Sequence, residues 1–332
     1  LSHPKDMRYT YPDARPLESQ MTNPPDSFDP PVGIAEMLEP GLRRIVAPNP
    51  SPMTYRGTNT YLLGTGDLAV IDPGPDSPAH LAAILSAIGT GQRVTHIIVS
   101  HAHLDHSPLA RPLAVETGAP VYAFGPAQAG RSAVMADLAA RGLAGGGEGI
   151  DAEFAPDHAL ADGAVLHTPD WRLEALHTPG HIGNHLCLAW GDACFTADHV
   201  MGWASSLVSP PDGDLTDFMA SCARLQAQRW RTFYPGHGAP IDTPNARLDW
   251  LIAHRRSREA AILEALTGGP ADAATLAASI YTDTPAALLP AATRNVLAHL
   301  VDLAGKNVVS PRGTLSADAQ FERCDNKLPP NS

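Results

Sequence analysis

Apolar positions along the chain fall into two rhythms. Short, dense runs at 41–47, 58–64, 67–72, 95–100, 120–123, 165–168, 172–177, 186–190 and 193–196 read as strands. Helical spacing appears at 78–88, from Ser107-Pro108 to about Thr117, at 132–141 and at 216–228. Ser107 before Pro108 predicts an N-cap followed by proline at the first helical position. Two groups of strands with helices outside them predict an α+β sandwich of four layers, αββα.

The rhythm changes near Arg247. Residues 247–266 predict one long amphipathic helix whose apolar face carries Leu248, Leu251, Ile252, Ile262, Leu263 and Leu266, and Gly268-Gly269-Pro270 stops it. Helices at 273–281 and 290–304 and a hairpin at 307–315 around Pro311-Arg312-Gly313 complete a small winged-helix-like module. The expected organisation is an N-terminal extension over 1–33, a catalytic domain over 34–246, this module over 247–315 and a flexible tail over 316–332. Met21 reads as a candidate start, with 1–20 as an upstream extension. The stretch 124–149 has small residues, a helical middle and a Gly145-Gly146-Gly147 hinge. It reads either as a lid or pocket wall or as a surface excursion without substrate contact.

Charge narrows the partners. The chain carries a formal −12. Residues 247–332 hold nine Lys/Arg and nine Asp/Glu, so the whole excess lies in 1–246. A winged helix without a basic surplus is not favoured for nucleic acid, though nucleic acid is not excluded. Arg255, Arg256 and Arg258 read as a solvated helix face or as partners for acidic groups of the catalytic domain. No apolar run is long enough to span a bilayer and no secretory leader is evident, so a cytoplasmic location without membrane attachment is expected. Cys187, Cys194, Cys222 and Cys324 show no C-x-x-C spacing. Cys187 and Cys194 read as buried free thiols, which suits a reducing compartment.

The densest chemistry is Ser100-His101-Ala102-His103-Leu104-Asp105-His106, directly after an apolar strand. Three imidazoles and a carboxylate within six residues are the donors that zinc and similar ions take. Three further strand-to-loop junctions follow. Thr178-Pro179-Gly180-His181 lies 75 residues past His106, Asp198 comes 17 further on, and Tyr234-Pro235-Gly236-His237 follows after another 39. Such convergence is the pattern of a dinuclear hydrolase site.

This H-x-H-x-D-H, H, D, H series resembles the metallo-β-lactamase superfamily, with every ligand position filled. Gly57-Thr58-Asn59-Thr60 and Val70-Ile71-Asp72-Pro73-Gly74 are similar to its first strands. Asp198-His199-Val200-Met201-Gly202-Trp203, Ser209-Pro210-Pro211-Asp212 and the helix around His254 resemble the branch containing beta-lactamase-like protein 2, which overlaps glyoxalase II thioesterases. The resemblance implies His101, His103 and His181 on one metal, Asp105, His106 and His237 on a second, and Asp198 between them. It implies two divalent ions, zinc by donor type with manganese or iron also compatible, and a bridging hydroxide near neutral pH. Asp105 would orient that nucleophile and protonate the leaving group.

Asp72 is implied to hold a ligand imidazole from behind, although its position also suits an ordinary turn aspartate. His185 reads equally as a group beside the ligands or as a packed histidine. His199 and His96 read as structural, and Tyr55, Met201 and Trp203 as candidate substrate contacts. The expected activity is hydrolysis of an ester-like acyl bond in a small molecule: thioester, ester or lactone. The alternative is an endoribonuclease on single strands. A redox role would require iron, and the di-iron flavoproteins would also require a flavodoxin-like domain that this sequence lacks. Oligomeric state is not readable.

Overall fold

The computed structural model describes residues 28–146 and 149–324. Most of the dense apolar runs become strands buried on both faces, because successive side chains point to opposite sides and each side meets a different apolar layer; the run at 165–168 is the exception, with Val165 and His167 exposed. The first sheet runs β1 (Glu36–Glu39), β2 (Leu42–Val46), β3 (Asn59–Leu63), β4 (Asp67–Ile71), β5 (Arg93–Ile98), β6 (Val121–Ala123) and β7 (His158–Ala159), in that spatial order. Pairing is antiparallel from β1 to β4 and parallel from β4 to β7. The parallel pairs need crossovers. The helices α1 (Pro78–Ser86) and α2 (Ala110–Thr117) supply two of them, and the segment carrying α3 (Ala133–Ala140) precedes β7.

The second sheet holds β8 (Val165–His167), β9 (Arg172–His177), β10 (Leu186–Trp190), β11 (Ala193–Ala197) and β12 (Thr232–Pro235), in the order β12-β11-β10-β9-β8. Only β11 and β12 pair in parallel, across α4 (Leu215–Gln226). In β4, Ala69 and Ile71 join the core between the sheets while Leu68 and Val70 face α1 and α2. In the second sheet, Leu188 and Phe195 point into the same central core. Cys187 and Cys194 point outward, against α4 and α5 (Pro244–Ala265). The αββα arrangement is thus what strict alternation between two apolar environments produces.

Beyond α5, α6 (Ala273–Ile280) and α7 (Leu289–Gly305) pack with β13 (Val309–Pro311) and β14 (Phe321–Arg323). Their core includes Leu276, Val296, Leu300 and Phe321, and Met135 and Leu138 of α3 complete it. The 124–149 segment is therefore anchored in the C-terminal module at its helix. At its far end Gly149 accepts from the Leu104 amide, and Ile150 bridges His103. Of the two readings offered for 124–149, the contacts of its described residues suit the wall, joining the C-terminal module to the loop of His103; Gly147 of the expected hinge lies outside the described residues.

Several local expectations change. Ser107 does not cap a helix: α2 starts at Ala110, and the Ser107 hydroxyl donates to Asp151 Oδ2 (2.8 Å) and the His103 carbonyl (3.1 Å). The long helix starts at Pro244, three residues before the expected boundary, with proline in its first turn. The hairpin closes on β14, inside 316–332, because Phe321 is fully buried and its backbone pairs with Ala271. Arg255 is neither solvated nor paired with an acid: at 2% exposure it donates to Asn295 Oδ1 (2.9 Å) and the Ser206 carbonyl, over the Phe218 ring. Arg256 is exposed, and Arg258 lies on the Tyr281 ring. All four cysteines are free, and Cys187, Cys194 and Cys222 are buried. His96 packs between Tyr122 and Trp171. Expectations for residues 1–27 and 325–332 lie outside the described residues.

His299 on α7 is buried with neither ring nitrogen hydrogen-bonded, and burial, reinforced by Arg255 and His254, pushes it down to about 3. The unfolded chain takes up this proton near its ordinary ~6.5, so the folded form binds fewer protons between those values. Stability present above about pH 6.5 is then lost as pH falls toward 3. Replacing His299 by Met should flatten the fall in unfolding free energy between about pH 6 and 4, by up to about 1 kcal/mol per pH unit. Urea titrations at each pH measure it, and an unchanged slope would contradict the assignment.

Candidate metal centre

The strand ends converge at one rim of the sandwich. β5 runs into the loop carrying His101, His103, Asp105 and His106, the β9–β10 loop brings His181, β11 ends before Asp198, and β12 before His237. Two glycines permit the approach. A Cβ on Gly180 (φ +138°) would overlap the Phe218 backbone, and one on Gly236 would overlap Asp198 Oδ1 and come within 2.8 Å of His106 Cε1. Ala197, just before Asp198, holds φ 41°, backbone strain at the point where the carboxylate is aimed.

The seven side chains form two adjoining groups. In His101, His103 and His181, and again in Asp105, His106, Asp198 and His237, the donor atoms lie within 4.8 Å of one another. His101 Nε2 and His181 Nε2 are each 3.0 Å from His103 Nδ1. In the second group His237 Nε2 lies 3.1 Å from Asp105 Oδ2 and 3.3 Å from Asp198 Oδ2, and His106 Nε2 3.4 Å from Asp198 Oδ1. Asp198 Oδ2 is also 3.7 Å from His181 Nε2, so this carboxylate touches both groups. His103, His181 and Asp198 keep 7% exposure while His101 and His106 keep none, which sets the open side.

Each ring except His103 is held from behind. His106 Nδ1 donates to Asp72 Oδ2 (3.0 Å), His181 Nδ1 to the Leu207 carbonyl (2.7 Å) and His237 Nδ1 to the Gly57 carbonyl (3.2 Å). Ser100 donates its hydroxyl to Asp72 Oδ2 and so accepts from His101 Nδ1 (2.9 Å). These partners place the protons on the outer nitrogens and aim the lone pairs inward. Asp72 adopts φ 50°, which an aspartate tolerates, and its Oδ1 also accepts the Ser100 amide.

The inward atoms fit cations. Asp105 Oδ1, His106 Nε2, Asp198 Oδ1 and His237 Nε2 are buried with no hydrogen-bond partner. Such orphaned buried groups cost about 1–3 kcal/mol each unless something pairs with them. The imidazole and carboxylate set is what divalent first-row ions accept. The two groups differ electrostatically. Burial pushes His101 far down, His103 to about 3 and His181 down, with the neighbouring rings adding to it at His101 and His103. Burial also opposes charge on His106 and His237, but Asp105, Asp198 and Asp72 outweigh it at His106, and Asp198 and Asp105 lift His237 to about 10. Asp105 and Asp198 stay ionised despite burial, held low by those two imidazoles. A cation entering the second group therefore displaces protons.

Residues 53–237 match the metallo-beta-lactamase superfamily, and residues 273–314 the beta-lactamase associated winged helix domain. The chain belongs to the metallo-β-lactamase superfamily. A beta-lactamase-like protein 2 homolog of Drosophila melanogaster is 30% identical, over 86% of this chain and 94% of its own length. An atrochrysone carboxyl ACP thioesterase of Aspergillus fumigatus is 29% identical over 70% of this chain and 66% of its own. A beta-lactamase domain protein from Burkholderia ambifaria shares the fold (TM-score 0.75, 21% identity), covering 93% of this chain and 99% of its own. With such relatives, this member of the superfamily is a metal-dependent hydrolase. Among the described residues no helix is long and apolar enough to cross a membrane.

The remaining candidates separate. His185 is fully buried, bonded to Thr178 Oγ1 (3.0 Å) and tilted against the His101 ring, so it supports the cluster from beneath rather than facing substrate. His199 lies beside Cys222 Sγ (3.5 Å) and the Phe218 ring. Tyr55 and Trp203 stack at 5.2 Å in a groove, but Met201 is buried and its carbonyl accepts from Arg247. Met201 does not line that groove. Sequence reasoning missed Ser100 and the carbonyls of Gly57 and Leu207. Ser100 had a signal in its place before His101; backbone carbonyls carry none.

Asp72→Asn exchanges one acceptor for a donor behind His106. Chelator competition should show metal binding weakened about 10- to 100-fold. Unchanged affinity would contradict the tether.

Proposed function

We propose that the chain is a dinuclear hydrolase of ester-like acyl bonds, with an apolar acyl thioester as the favoured substrate. The observation that carries the reading is Asp198, whose carboxylate lies against both donor groups. In this reading His101, His103 and His181 would hold one ion and Asp105, His106 and His237 the other, with Asp198 placed against both groups, zinc the ion of first choice and manganese or iron compatible. Two such ions supply Lewis acidity for the scissile carbonyl and an acidified water as nucleophile. Asp105 turns Oδ2 toward His237 and leaves Oδ1 without a partner. With one Asp105 oxygen turned to the ion, the other would orient the attacking water, accept its proton and return it to the departing thiolate. Asp72 and Ser100 keep His106 and His101 in the tautomer that faces the reaction.

Substrate class follows from the neighbouring groove. Its volume is about 760 Å³, in the range of small-molecule sites. Phe28, Tyr55 and Trp203 form a stack with ring centroids 5.8 and 5.2 Å apart, and Ile241 and Trp250 also line it. Trp203 presses on Gly238, next to His237, so the stack begins beside the donor cluster. Exposed Asp242 and Asp249 line it together with a single arginine, Arg247, so its charge does not select an anionic occupant. A planar or apolar acyl group suits these walls. Relatives named as thioesterases support the bond type.

A second reading, cleavage of single-stranded RNA, draws on the winged-helix match at 273–314. The test is metal-replete protein on aromatic and acetyl thioesters and on single-stranded RNA, with Asp105→Asn alongside. Thioester turnover should fall about 10²- to 10⁴-fold in the variant; RNA cleavage lost in it while thioesters stay inert would overturn the reading. Trp203→Ala should raise KM for the aromatic thioester about tenfold and leave that for acetyl thioester unchanged. Equal changes would remove the groove from substrate binding.

A further inference from the structure

Arginines of α5 and α7 converge on one loop of the catalytic domain. Arg247 donates to the carbonyls of Met201 and Ala204, both at 2.7 Å. Arg255 donates to the Ser206 carbonyl and, at 2.9 Å, to Asn295 Oδ1. The same Asn295 oxygen accepts the Val208 amide at 3.0 Å. Arg294 donates to Ser209 Oγ (2.8 Å) and to the Pro210 carbonyl. Leu207 is thus flanked on both sides by residues held by a single side-chain pair, Arg255 and Asn295. Its carbonyl is the acceptor for His181 Nδ1.

We propose that the C-terminal module orients His181 through this loop, with Arg255 and Asn295 as positioning residues for the three-histidine group. The inference rests on the metal-centre reading for its consequence, but not for the hydrogen bonds themselves. A guanidinium at 2% exposure facing only neutral oxygens and an aromatic ring is an expensive packing element. A long apolar side chain would fill its space at lower cost, so what it uniquely does is fix carbonyl directions. Losing the grip frees the Leu207 carbonyl to turn, His181 Nδ1 loses its acceptor, and its proton redistributes toward Nε2, the atom facing His103.

The test uses full-length protein with ¹⁵N-labelled histidine and three variants, Asn295→Leu, Asn295→Asp and Arg255→Met. In metal-free wild type the His181 ring should be protonated at Nδ1. In Asn295→Leu it should shift toward Nε2–H, while Asn295→Asp, which keeps the acceptor oxygen, retains the wild-type tautomer. Zinc titrated against a chelator should show one of two sites weakened about 10- to 100-fold in Asn295→Leu, the other unchanged. Should Arg255→Met fail to fold, the Asn295 pair still decides. An unchanged His181 tautomer, or both sites weakened equally alongside a lowered Tm, would overturn the proposal and leave plain packing. A wild type that binds no zinc at the three histidines would sink the metal reading, while the tautomer shift would still decide the grip.

Discussion

An imidazole presents its lone pair in one direction only if the opposite nitrogen is bonded to something that does not move, and this centre depends on that constraint. Four of its rings are tied by their outer N–H: His106 to Asp72, His101 to Ser100, His181 to the Leu207 carbonyl, His237 to the Gly57 carbonyl. Ser100 is next to its ring, but the Asp72, Leu207 and Gly57 acceptors lie 34, 26 and 180 residues from theirs, and the Gly57–His237 tie joins the two sheets, so the full set exists only once the sheets have closed on their common core. Folding and site formation are in this sense one event. The cost is a set of inward polar atoms buried without partners, which cation binding offsets.

The same logic gives the C-terminal module a purpose that its family name does not suggest. Its arginines bond to carbonyls of the loop over the cluster, and α3 stitches the 124–149 wall into its core. Arg255 is thereby withdrawn from any surface that could meet a polyanion, in agreement with the absence of a basic surplus over 247–332. The module acts as a brace, and the groove with Tyr55, Trp203 and Trp250 opens between that brace and His237.

Much of the arrangement was legible in the sequence because it is encoded locally. H-x-H-x-D-H places its donors within one loop, and a glycine beside His181 and another beside His237 mark turns that bring a backbone close. Runs such as Leu186–Trp190 announce a strand buried on both faces. What failed depended on distant partners. Ser107 has the local signature of a cap, yet Asp151 takes its hydroxyl. Arg255 sits among other arginines on a helix that looks solvated, and only Ser206 and Asn295, 49 and 40 residues away, explain its burial. β14 is three residues in a polar stretch, stable because Phe321 finds the module's core. Carbonyl acceptors such as that of Leu207 leave no trace in residue identity.

The central claim is that Asp198 joins two cations, one on each donor group. A crystal grown with zinc and measured on both sides of the zinc absorption edge tests it directly. The account predicts two anomalous peaks, one among His101, His103 and His181 and one among Asp105, His106 and His237, with Asp198 in bonding contact with both. A single peak, or an Asp198 carboxylate bound to only one of the two, would contradict it.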